Sequence, residues 1–111
     1  MTESGTFALG PVAAIPPGEG REYDAGGTAV AVFRLRSGAV YATQALCPHK
    51  EAPLCDGLTG GTTLVCPFHS WKFDLATGVA LLGTCGLRVY PAAVGGDGVL
   101  RVTVPGAGNG A

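Results

Sequence analysis

Two short runs in this 111-residue chain hold both of its histidines and two of its four cysteines: Cys47-Pro48-His49 and, sixteen residues later, Cys66-Pro67-Phe68-His69. Thiolate and imidazole are soft to borderline donors, so two of each are enough to complete a metal centre without help from the rest of the chain. The repetition of one cysteine and one histidine per run points to a single site built by two loops.

The order of the four donors bears on the metal. In zinc fingers the histidines follow both cysteines and sit on a helix, whereas a mixed-ligand [2Fe–2S] centre takes one cysteine and one histidine from each loop. Here the order is Cys-His-Cys-His. After His69 come Ser70-Trp71-Lys72-Phe73-Asp74, aromatic and polar in alternation, and then Ala76-Thr77-Gly78. That is a strand followed by a turn, not a helix.

With these residues in view the chain resembles the Rieske proteins, whose pattern is Cys-x-His, an interval, then Cys-x-x-His. Pro53-Leu54, Asp56-Gly57, Gly60-Gly61, Cys66-Pro67, Phe73-Asp74 and Thr77-Gly78 extend the likeness over residues 30–104. The resemblance implies one [2Fe–2S] cluster per chain, with one iron on Cys47 and Cys66 and the other on His49 and His69. Two neutral imidazoles in place of two thiolates remove negative charge, so such a cluster is easier to reduce than an all-cysteine one. Zinc held as a structural clip, or a plain interaction module, is the other class of reading.

The elements that must position these loops read as short strands. Strands are expected over residues 6–9, 21–23, 28–34, 39–43, 62–65, 72–74, 79–81, 87–90, 92–94 and 99–104, with a helical turn or loop at 12–15. Ala25-Gly26-Gly27 signals a hairpin, Ser37-Gly38 a turn, and Gly95-Gly96-Asp97-Gly98 another. Short strands with Gly-rich turns describe an all-β antiparallel sandwich or small barrel. The expectation is one domain over 1–111, with a two-loop cluster-binding subdomain at about 44–80 and a flexible tail at about 105–111.

Composition excludes several functions. A net charge of −1 with seven basic residues offers no footprint for nucleic acid. No apolar run is long enough to span a membrane and the start lacks a signal peptide, so a cytoplasmic protein is expected. Both histidines are used by the cluster, which leaves none for a mononuclear oxygenase iron, and no Gly-rich nucleotide fingerprint opens a helix. The chain is therefore not catalytic alone. Its partners are expected to be a large redox subunit, or a reductase or oxygenase protein.

Two branches of the family share these features. Cys85-Gly86-Leu87-Arg88-Val89-Tyr90-Pro91, with Gly57-Leu58-Thr59-Gly60-Gly61, is similar to the small subunit of the NAD(P)H-dependent nitrite reductases of nitrate assimilation, and this favours that branch. The alternative is a free Rieske ferredoxin feeding an aromatic-ring dioxygenase.

The respiratory branch carries a disulfide between positions that here are Ala52 and Phe68, so that staple is absent. Cys55 and Cys85 are expected to be unrelated buried thiols. The position of the hydroxyl donor to a cluster sulfide is Trp71. Fewer donors leave the added charge less stabilised, implying a potential of about −150 to 0 mV, in the lower part of the Rieske range. Trp71 and Phe68 are expected to shield the cluster, Lys50 and Glu51 to lie on a solvated rim, Asp56 and Asp74 to cap backbone, and Pro48 and Pro67 to stiffen the loops.

Overall fold

The computed structural model describes residues 5–46, 53–66, 71–82 and 86–104. Eleven strands are present among them: β1 (Gly5–Pro11), β2 (Glu19–Ala25), β3 (Thr28–Arg34), β4 (Val40–Gln44), β5 (Leu58–Gly60), β6 (Thr63–Val65), β7 (Lys72–Asp74), β8 (Ala80–Leu82), β9 (Val89–Tyr90), β10 (Ala92–Val94) and β11 (Val99–Val104). Single 3-10 turns stand at Val12–Ala14 and Leu54–Asp56. The fold is all-β, and no helix among the described residues is long and apolar enough to cross a membrane.

The strands form three antiparallel sheets, ordered β1-β11-β10, β2-β3-β4-β9 and β5-β6-β7-β8. β3 explains how they stack. Its sequence Thr-Ala-Val-Ala-Val-Phe-Arg is apolar at five successive positions, and alternate side chains of a strand leave opposite faces. Val30 and Val32 join Ile15, Ala42, Leu100, Val102 and Val104 in one core, while Ala31 and Phe33 join Leu54, Leu64, Cys66, Phe73 and Leu75 in another. The second sheet is thus covered on both faces, and β3 is a continuous apolar run for that reason.

Turn chemistry sets the registers. Ala25 pairs with Thr28 across Gly26 and Gly27, which hold φ of 63° and 94°. Positive φ at both central positions is the type I′ geometry that matches strand twist, and only glycine takes it without strain. The Gly27 N–H is further held by Asp24 Oδ1 at 2.6 Å.

Strand positions follow the sequence expectation closely, with two additions. β5 and the 3-10 turn at Leu54–Asp56 are new, and together they carry the chain from the first loop back to β6. The tail at 105–111 lies outside the described residues.

Candidate metal centre

β4 leads straight into the first candidate loop. Past its end, Leu46 bridges Pro53 in antiparallel fashion, and the Leu54 N–H donates to the Ala45 carbonyl at 2.9 Å. Residues 47–52 are therefore bracketed by a pair of backbone segments that have already turned back on each other.

The second loop is closed in the same manner. Val65 pairs with Lys72, and the Cys66 N–H donates to the Trp71 carbonyl at 2.7 Å, which brackets residues 67–70. β-branched Thr63 and Val65 favour the extended backbone that carries Cys66 to this mouth.

Both loops stand on one core. Leu54 follows the first and is fully buried; Cys66 opens the second and is 2% exposed; both belong to the cluster with Leu64 and Phe73. Trp71 packs against that core with its ring centroid 6.3 Å from Phe73's, tilted by 49°. A buried cysteine at the mouth of the second loop, in a chain whose two runs each carry a thiol and an imidazole by sequence, suits an iron–sulfur cluster in donor type and in dryness. Cys47, His49 and His69 lie outside the described residues, as do Pro48, Lys50, Glu51, Pro67 and Phe68. Among the described residues no three His, Cys, Asp or Glu side chains gather into a metal-holding group.

A third segment borders the site. The Leu87 N–H donates to the Gly78 carbonyl at 2.7 Å, and the Arg88 N–H donates to Gln44 Oε1 at 2.8 Å. Sequence reasoning passed over Gln44, because its partner lies 44 residues away.

The remaining polar residues settle into structural contacts. Asp74 Oδ1 accepts from the Ala76 N–H at 2.9 Å, the capping role expected of it. Asp56 instead receives the Cys55 thiol, Sγ to Oδ1 at 3.8 Å. Cys55 is half-buried and free, and burial first, then the carboxylates of Asp56 and Glu22, push its thiol above the ordinary value. That disfavours its thiolate, although the side chain packs against the same core as Cys66. Cys85 lies outside the described residues.

Comparison with known proteins follows the same lines. The Rieske [2Fe-2S] domain matches residues 5–91. The ferredoxin component of the naphthalene 1,2-dioxygenase system of Pseudomonas aeruginosa is 34% identical over 88 residues, 78% of this chain and 84% of that one. A Mycobacterium tuberculosis structure described as an NADH-dependent nitrite reductase small subunit superposes with a TM-score of 0.80 at 26% identity, covering 94% of this chain and 96% of that one. The 4beta-methylsterol monooxygenase of Methylococcus capsulatus is 36% identical over 76 residues, 59% of this chain; the chain spans only 21% of that protein's length.

Proposed function

The chain belongs to the Rieske [2Fe-2S] domain family, and from that we propose that it is a one-electron carrier holding its cluster through Cys47, His49, Cys66 and His69 and serving an oxygenase as a free ferredoxin. When bound, the cluster supplies reversible uptake of a single electron. The protein's part is to fix and shelter it. Cys66 offers its sulfur from a buried position, Trp71 covers the core beside it, the paired backbone closes the base of each loop, and the core shared by Leu54 and Cys66 carries both bases. Phe73 and Leu54 beneath them exclude water, which sustains the low dielectric around the site.

The observation that carries the ferredoxin reading is the 34% identity to a dioxygenase ferredoxin component over most of both chains. Such a carrier has no substrate pocket of its own to fill. Stopped-flow mixing of the reduced chain with a Rieske-type oxygenase should oxidise it in one phase; failure to transfer to any such oxygenase would refute this reading.

A second reading has its own support. The 0.80 superposition on a nitrite reductase small subunit, together with Leu87-Arg88-Val89-Tyr90-Pro91, favours a place beside a large nitrite-reducing subunit. Nitrite-dependent reoxidation in the presence of such a subunit, and not of an oxygenase, would select it.

A further inference from the structure

The three residues before Cys47 are held by two segments, one at Arg88 and one at Pro53 and Leu54. The Gln44 N–H donates to the Arg88 carbonyl at 2.9 Å, the Ala45 carbonyl accepts from the Leu54 N–H at 2.9 Å, and Leu46 bridges Pro53. The Gln44 side chain joins the first of these segments to the residue that precedes Cys47. Its Oε1 accepts from the Arg88 N–H at 2.8 Å, and its Nε2 donates to the Leu46 carbonyl at 2.8 Å.

The arrangement demands an amide. A backbone N–H can only donate and a backbone carbonyl can only accept, so the group between them must present an acceptor at one end and a donor at the other. The same two partners fix which end of the amide is oxygen. A carboxylate matches Arg88 and opposes Leu46; a thioether of similar length serves neither.

We infer that Gln44 is a positioning residue for the cluster, tying the Arg88 segment to the carbonyl that immediately precedes Cys47 and so setting the direction in which the first ligand loop leaves β4. Gln44 does not touch the cluster in this assignment; it acts through Leu46 and Cys47. The inference rests on the proposal that Cys47 is a ligand. It makes the Arg88 segment part of the cluster's support, although that segment supplies no ligand.

The test compares the parent with Gln44→Glu, which keeps the acceptor toward Arg88 and loses the donor toward Leu46, and Gln44→Met, which loses both. Each is purified with its cluster. Both variants are expected to shift the g values of the reduced protein and to release iron to a chelator on the order of tenfold faster than the parent, the lower end of the range for residues that orient metal ligands. Hydrogen exchange separates the two ends of the amide: the Arg88 N–H stays protected in Gln44→Glu and loses protection in Gln44→Met. If Gln44→Met does not fold, Gln44→Glu carries the test alone. Unchanged g values and iron release in Gln44→Glu overturn the positioning role, while a parent chain that binds no iron overturns the cluster reading itself and the role with it.

Discussion

The Cys66 N–H donates to the Trp71 carbonyl at 2.7 Å, so the residue proposed to bind iron and the residue proposed to shelter it are locked to one another by backbone. Trp71 also lies half-buried against Phe73 and the core that holds Cys66. Trp71→Ala should keep this backbone bond but admit water beside the cluster. Bleaching of the visible absorption in air should quicken several-fold, with the unfolding temperature lowered; unchanged bleaching would deny the shielding role.

Gly78 has φ of +81°, and a Cβ placed there would collide with the Leu87 carbonyl. Gly78→Ala therefore pays backbone strain and pushes away the segment that borders the site, for a loss of about 1–3 kcal/mol. Chemical denaturation with the midpoint compared at equal slope measures it. A loss below a few tenths would mean that this turn relaxes freely.

Cys55 combines a raised thiol pKa with partial burial. Alkylation should be slow near neutral pH and should speed up at a pH above that needed by an ordinary thiol, because only the thiolate reacts. Cys55→Ser should leave the visible spectrum unchanged; its loss would place Cys55 among the ligands.

Asp97 and Arg101 form an exposed pair, Oδ2 to Nη2 at 3.0 Å, across the turn between β10 and β11. The Arg101 hydrogen bonds, followed by the Val99 N–H, hold the Asp97 carboxyl down to about 2. A carboxyl depressed by folding stabilises the fold above its unfolded pKa and loses that contribution as pH falls through the folded value. Arg101→Gln should therefore lower stability slightly at pH 7, and the difference from the parent should shrink as pH drops toward 2. An undiminished difference at pH 2 would assign the effect to packing.

Much of the fold was legible in the sequence for identifiable reasons. The five apolar positions of β3 and the strict alternation of Leu100, Val102 and Val104 in β11 state which faces are covered. Gly26-Gly27 states where the hairpin turns. β5 escaped notice because Gly-rich Leu58–Gly60 has no buried alternation and leaves Leu58 74% exposed; it becomes a strand only by pairing with β6. Of the candidate site, the strand that enters the second loop was readable from its β-branched residues. The Gln44 clamp was not, since it depends on a fold that brings Arg88 back beside β4.

Electron paramagnetic resonance of the dithionite-reduced chain, with iron and sulfide analysis of the same sample, tests the central claim most directly. The account predicts two irons per chain, a potential of about −150 to 0 mV, and the low average g of mixed thiolate and imidazole ligation. His69→Ala should abolish that signal while leaving the sheets folded by circular dichroism. A silent sample containing zinc, or a His69→Ala variant that keeps the full signal, would contradict the account.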